Sequence, residues 1–217
     1  LRPYGLTPAL DGRTLIRQSG LYGPAGSAWL DFGYAMSDGP VQNLRTGARY
    51  DYVQHAVAAA EPGDQVVAAP GLYAERIDFA GKPVTVRSTD PGDPAVVAAT
   101  TLCGSGNVVT FVHGEDANSV LDGLTVTGGS AGVLCHAATP TIRRCNVTAN
   151  YGPGIRLASQ SNPTILRCSV TANDGPGIEL QIIRDGRLAR YSLATVRNCI
   201  IAANRRGGVI GAKGGTR

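Results

Sequence analysis

Basic side chains recur in the second half of the chain and could form a site for an anionic ligand. Four of the candidates lie in a twelve-residue stretch, 181–192, and the others lie in the segments on either side of it. Guanidinium groups bind carboxylates and sulfates through paired hydrogen bonds, which suits an acidic glycan. A solvated hairpin with scattered positive charge explains the same pattern. The candidate ligand-binding residues are Arg143 (or its neighbour Arg144), Arg167, Arg184, Arg187, Arg190, Tyr191 and Arg197.

Carboxylates form a second candidate site. Asp90 and Asp93 are close in sequence, and Glu115 and Asp116 follow about one repeat later. Calcium prefers oxygen ligands of this kind. The Asp-Pro-Gly-Asp segment is equally typical of a turn. We therefore assign no metal ligand and expect no cofactor, with calcium left open.

No catalytic residue can be assigned from the sequence. His55, His113 and His136 share no motif, and each is interpreted as a surface or core residue. The glycine-rich segments at 128–130 and 207–208 lack the Lys-Ser/Thr pair that completes a phosphate-binding loop. Whether the chain is an enzyme is left undecided.

A short sequence repeat occurs three times in the second half of the chain. It predicts the secondary structure that carries the basic residues. The copies are residues 141–150, 164–173 and 195–204, each with Cys at its fifth position and Asn at its tenth. The spacing between successive cysteines is 23 and then 31 residues, and a second marker that begins at Gly154, Gly177 and Gly208 keeps both spacings. This agreement predicts a solenoid with one eight-residue insertion.

Stacked copies of the repeat place equivalent side chains in columns. The apolar positions, exemplified by Ile142 and Val147, are predicted to face inward, and so is Cys135. The three repeat cysteines should stack about 4.8 Å apart, the usual strand spacing, as small buried hydrophobes. Asparagines at the tenth position should form a hydrogen-bonded ladder through one bend. The predicted columns are Cys145, Cys168 and Cys199, and Asn150, Asn173 and Asn204.

The repeat suggests two parts of the chain. Residues 1–48 carry no repeat and are predicted to be irregular, whereas residues 49–217 are predicted to form the solenoid, without a full C-terminal cap. Residues 51–54 resemble a capping box, which predicts a short helix that ends near Pro62 and plugs the solenoid. Its buried face should comprise Val53, Ala56, Val57 and Ala60.

Composition agrees with short strands joined by many turns. The chain of 217 residues has 29 Gly, 13 Pro and only 6% aromatic residues. Its net charge of +4 is below the dense basic footprint of a nucleic-acid-binding protein. No apolar run is long enough to span a membrane. The odd number of cysteines, five, excludes a fully paired disulfide framework.

Three short segments and the later repeat units resemble one known group of proteins. The segments are residues 52–57, 63–67 and 70–75, and the units read Pro-Thr-Ile-x-x-Cys-x-Val-x-x-Asn. The group that they resemble is the right-handed parallel β-helix proteins of the pectate-lyase-like superfamily. The resemblance extends over about residues 50–217. It implies an all-β chain coiled into three parallel sheets, with polysaccharide along one of them. The family's lyases use a Lys or Arg base near calcium, and its hydrolases use paired aspartates with a His. This chain has no Asn-Thr-Asp, Asp-Asp or Gly-His-Gly motif, so no catalytic role is transferred.

Three functions follow as hypotheses. We expect a secreted or surface protein that binds polysaccharide, preferably acidic glycan, without catalysis. The alternatives are a polysaccharide lyase acting on acidic glycan and a structural or adhesive scaffold fragment. Unpaired strand edges at an uncapped end would also allow end-to-end association of identical chains.

Overall fold

The computed structural model describes residues 39–185 and 188–212, together with the paired strands β1 (Thr7–Pro8) and β2 (Thr14–Leu15). The chain divides into two compact units, residues 1–35 and 36–217, and β1 and β2 form an antiparallel pair within the first. The second unit contains everything described below.

Three sheets of short strands build the second unit. Sheet 1 contains β3 (Val41–Asn43), β4 (Arg49–Tyr50), β5 (Gln65–Ala68), β8 (Thr85–Ser88), β11 (Val120–Asp122), β14 (Thr141–Arg143), β17 (Thr164–Leu166) and β21 (Thr195–Arg197). Sheet 2 contains β6 (Gly71–Ala74), β9 (Thr100–Cys103), β12 (Thr125–Thr127), β15 (Asn146–Thr148), β18 (Ser169–Thr171) and β22 (Ile200–Ala202). Sheet 3 contains β7 (Ile77–Asp78), β10 (Asn107–Phe111), β13 (Ala131–His136), β16 (Ile155–Ala158), β19 (Ile178–Asp185), β20 (Leu188–Tyr191) and β23 (Val209–Ala212).

The chain visits the three sheets in turn, and we call each complete turn a rung. Within the described residues there are six rungs, which begin at β5, β8, β11, β14, β17 and β21. Strands of successive rungs pair in parallel, as in the register Ile142 with Ile165 and Ile165 with Val196. The predicted all-β fold, a solenoid of three parallel sheets, is therefore confirmed.

The core lies inside the coil and is made of columns of equivalent side chains. Ile142, Ile165, Val147 and Val170 are fully buried, and the residues that flank them on their strands are only partly buried. Alternation of this kind is what a strand with one buried face requires. Three-residue strands can bury an apolar face only because the coil closes it against the two other sheets.

The predicted cysteine and asparagine columns are both present. Cys135, Cys145 and Cys168 are buried, and Cys199 is partly exposed. Burial raises the pKa of Cys135. The Asn173 Oδ1 atom accepts hydrogen bonds from Asn150 Nδ2 at 2.8 Å and Asn150 N at 3.1 Å, and Asn204 repeats both contacts with Asn173.

Helix α1 (Val53–Ala59) closes the first end of the coil, as predicted, and its predicted apolar face is buried. The capping-box prediction is wrong. Tyr52 is the N-cap and makes no side-chain hydrogen bond to the helix. The Glu75 carboxylate, from the first rung, accepts the Val53 and Gln54 N–H groups instead, each at 2.8 Å.

Several elements were not predicted, among them helix α2, strand β3 and the paired strands β1 and β2. Helix α2 (Pro94–Ala99) follows Asp93, whose side chain accepts the Ala95 N–H at 2.8 Å. Strand β3 lies inside the segment predicted to be irregular and pairs antiparallel with β5. Apart from β1 and β2, residues 1–38 of that segment lie outside the described residues.

Candidate functional site

A groove of about 540 Å³ lies at the first end of the solenoid, beside helix α1. Helix α1, the corner between sheets 2 and 3, and the first two strands of sheet 3 form its walls. The lining residues are Tyr52, Gln54, His55, Glu75, Arg76, Ile77, Asp78, Asn107 and Thr110.

Gln54 holds helix α1 in position as one wall of the groove. Strand β7 is the first strand of sheet 3 and pairs on one side only, with β10. The Gln54 side chain occupies the other side, because its Oε1 accepts Asp78 N at 2.7 Å and its Nε2 donates to Asp78 O at 3.2 Å. Gln54 thus satisfies backbone groups that a preceding strand would otherwise pair, and this fixes the helix against the groove.

Both carboxylates of the groove are occupied by contacts within the protein. The two oxygens of Glu75 accept the first N–H groups of α1. Asp78 Oδ1 accepts Ala80 N at 2.8 Å, and Asp78 Oδ2 lies 3.3 Å from His113 Nε2 at the rim. Neither carboxylate is placed as a free acid or base.

Arg76 and Tyr52 present free functional groups to the groove. Arg76 is exposed, and no carboxylate lies within ion-pair distance of it among the described residues. Tyr52 is 53% exposed, and its ring meets the ring of His55 edge-on with centroids 5.0 Å apart. Asn107 and Thr110 add polar groups on the opposite wall. The groove thus combines the Arg76 cation, an aromatic face and neutral hydrogen-bonding groups with the two internally bonded carboxylates of Glu75 and Asp78.

Three candidate ligand-binding residues on or beside sheet 1, Arg143, Arg167 and Arg197, do not form one column. Arg143 and Arg197 align with Leu166 between them. Arg167 follows Leu166 at the bend that leads to sheet 2, outside that column. Arg167 and Arg197 are exposed.

Asp122 reduces the positive charge of this region. Its buried carboxylate accepts Arg143 Nε at 2.9 Å and Arg144 Nε at 2.8 Å. The hydrogen bond to Asp122 raises the pKa of Arg144. Arg156, on sheet 3, pairs with Glu179 at 2.7 Å.

The basic stretch at 181–192 contains most of an antiparallel hairpin made of β19 and β20. Its register pairs Ile183 with Arg190 and Arg184 with Ala189. Tyr191 is 56% exposed. The side chains of residues 182–190, which include Arg187, lie outside the described residues, so the ligand-binding role of the hairpin stays a prediction.

The carboxylates considered for calcium make local contacts. Asp90 Oδ1 accepts Gly92 N at 2.9 Å, and Asp93 caps helix α2. Buried Glu115 accepts Gly81 N and His113 N, each at 2.9 Å. Within the described part of the chain, no three His, Cys, Asp or Glu side chains are grouped to hold a metal ion.

The histidines are dispersed. His55 lines the groove, His113 lies at its rim, and His136 Nε2 lies 2.8 Å from Ser159 Oγ. Sequence reasoning missed the groove because it forms between a helix that precedes the repeat and two rungs that lack the repeat sequence. The available signal was Tyr52 and His55 at exposed positions of a predicted amphipathic helix.

Comparison with known proteins supports the fold. A family model described as right handed beta helix region matches residues 100–216, more than half of the chain. A search of curated proteins found no match. The described residues include no helix with the length and apolar character needed to cross a membrane. On the family match and the stacked parallel strands, the chain belongs to the right-handed β-helix family.

Proposed function

We propose that this β-helix binds an acidic polysaccharide outside the cell or at its surface, with one acidic sugar held in the groove beside helix α1. The observation that carries the proposal is the exposed Arg76 guanidinium, which has no carboxylate partner in the described part of the protein and shares a 540 Å³ groove with the Tyr52 ring. A guanidinium binds a carboxylate or sulfate in a bidentate manner. The Tyr ring offers an apolar face to the C–H groups of a sugar.

The groove favours binding over turnover. Glycoside hydrolysis needs two carboxyl groups, one on each side of the scissile bond. Glu75 and Asp78 instead hold backbone N–H groups, and Asp78 also contacts His113. A lyase remains the alternative, with Arg76 or His55 as the base, and it would release an unsaturated product that absorbs in the ultraviolet. Assays with and without calcium test this alternative and the open metal requirement together.

The basic residues of the later rungs are a second part of the proposal. Arg167 and Arg197 are exposed, and the β19–β20 segment adds Arg184, Arg187 and Arg190 in sequence between the last two repeats. They would strengthen binding of a long anionic chain through charge, and such a contribution weakens as salt increases.

Calorimetric titration with fragments of pectate, alginate and a sulfated glycan tests the proposal. A charged hydrogen bond contributes about 1.5–3 kcal/mol, so Arg76→Ala should weaken binding at least about tenfold. Arg87→Ala is the matched control, because Arg87 lies on sheet 1 and contacts Gln65 and Ser88. Equal affinity of Arg76→Ala and the unmodified chain, or failure of all three glycans to bind, would refute the proposal.

A further inference from the structure

The corner between sheets 2 and 3 carries an exposed column that begins in the fourth rung. Tyr151, at the first position after Asn150, is 76% exposed. Asp174 and Arg205 occupy the equivalent positions of the next two rungs, since Asp174 N donates to Asn150 O and Arg205 N donates to Asn173 O, each at 2.9 Å. Both side chains are exposed. The Asn ladder beneath holds the three residues in line.

The corner between sheets 2 and 3 is continuous with the groove beside helix α1. Tyr151 N donates to Gly129 O at 2.8 Å, and Ser130 N donates to Gly106 O at 2.6 Å, so the second, third and fourth rungs are in register here. The Arg76 side chain reaches the second rung, because a Cβ atom on Gly106 would lie 3.5 Å from Arg76 Nη1. Arg76 and Tyr151 are thus separated by two strand spacings, or about 10 Å.

Charge changes along the solenoid in the direction of this column. Residues 141–212 contain ten Arg residues against three Asp and Glu residues, although the whole chain has a net charge of only +4. Arg205 and its neighbour Arg206 are exposed, with no carboxylate within ion-pair distance among the residues that the structure describes. The sequence-based prediction did not include either residue.

We infer that the corner extends the groove into a track for one polysaccharide chain, which lies along the solenoid axis from Arg76 across Tyr151 to Arg205. This inference rests on the proposed function of the groove. Arg76 and Arg205 supply a cation at each end, and Tyr151 supplies an aromatic face between them. Asp174 accepts hydrogen bonds from hydroxyl groups of the sugar that passes it. The track spans four strand spacings, about 19 Å, and therefore selects an extended polymer over a short saccharide.

Titration with a disaccharide and with a long oligosaccharide of the same acidic glycan tests the track. The long chain should bind at least about tenfold more tightly than the disaccharide, because it gains the Arg205 contact. Tyr151→Ala should weaken binding of the long chain about fivefold and leave the disaccharide unaffected, since a ring contact contributes about 1 kcal/mol. Arg205→Ala should show the same selectivity. Leu72→Ala removes an apolar side chain that is 71% exposed elsewhere, on sheet 2, and should change neither affinity.

The possible outcomes separate the two proposals. If Arg76→Ala weakens binding of both ligands but Tyr151→Ala and Arg205→Ala leave the long chain unaffected, the track is overturned and the groove stands. If no acidic glycan binds, the proposed function fails and the track fails with it. Equal binding of an oligonucleotide of the same charge, unaffected by Tyr151→Ala, would also overturn the track, because charge alone would then explain binding. Thermal unfolding followed by circular dichroism confirms that each variant is folded.

Discussion

Asp64 joins the first rung to the turn that follows strand β3. Its carboxylate is almost fully buried and accepts Asn43 Nδ2 at 2.7 Å, Glu61 N at 3.0 Å and Arg45 Nη2 at 3.2 Å. The hydrogen bond from Arg45 is the largest reason why the pKa of Asp64 lies well below its usual range. The hydrogen bonds from Asn43 and Glu61 lower this pKa further. The folded state therefore binds this proton less readily than the unfolded chain does.

This depressed pKa predicts a specific acid sensitivity. The stabilisation is present above the ordinary Asp pKa of about 4 and is lost as pH falls toward the folded value. Asp64→Asn should lower the unfolding midpoint at pH 7 and flatten the decline in stability between about pH 4 and 2. Asp51→Asn, at an exposed position, should match the unmodified chain. Parallel stability–pH curves for Asp64→Asn and the unmodified chain would contradict the account.

At the scale of elements, the Asn ladder explains why two sequence markers share one period. The Asn173 side chain accepts from Asn150 and donates to Val147 O at 3.0 Å and Thr171 O at 3.1 Å. A Cβ on Gly154 would lie 2.8 Å from Asn173 Nδ2 and 2.6 Å from Val170 Cγ1. A Cβ on Gly177 would likewise lie 2.7 Å from Asn204 Nδ2, so a side chain at either glycine would displace the ladder, whereas a Cβ on Gly208 in the last rung would meet no ladder atom.

Removing one member of the ladder should destabilise the whole coil. Asn173→Ala leaves buried backbone groups without partners, which should lower the free energy of unfolding by about 3 kcal/mol. Asn162→Ala, at an exposed position, should change it by less than about 0.5 kcal/mol. Urea unfolding of the two variants measures both effects. A change of similar size in both would show that the ladder has no special role.

Helix α1 shows where local sequence reasoning fails. Its apolar spacing predicted the buried face correctly. Its capping interaction was mispredicted, because the acceptor is Glu75, 22 residues after Val53. At the other end, Lys82 Nζ donates to Val57 O at 3.1 Å and Ala60 O at 3.0 Å. Both partners come from the first rung, and contacts between distant segments leave no pattern in the helix sequence.

At the scale of the whole molecule, the coil could be predicted because each rung repeats the contacts of the one before. Equivalent Cys and Asn residues then have the same environment, so the same residue types recur three times in the sequence. The groove could not be predicted in this way. It forms once, between α1 and the first rungs, and its main residues lie ahead of the segment that matches the family model. Arg143, chosen from sequence for its charge, contacts the buried carboxylate of Asp122, and the repeat gave no sign of that contact.

The most direct test of the account is a crystal structure of the chain with a short acidic oligosaccharide. We predict electron density in the groove, with a sugar carboxylate or sulfate within hydrogen-bonding distance of the Arg76 guanidinium and a sugar ring against Tyr52. A ligand bound only along sheet 1 or the β19–β20 hairpin, with the groove empty, would contradict it.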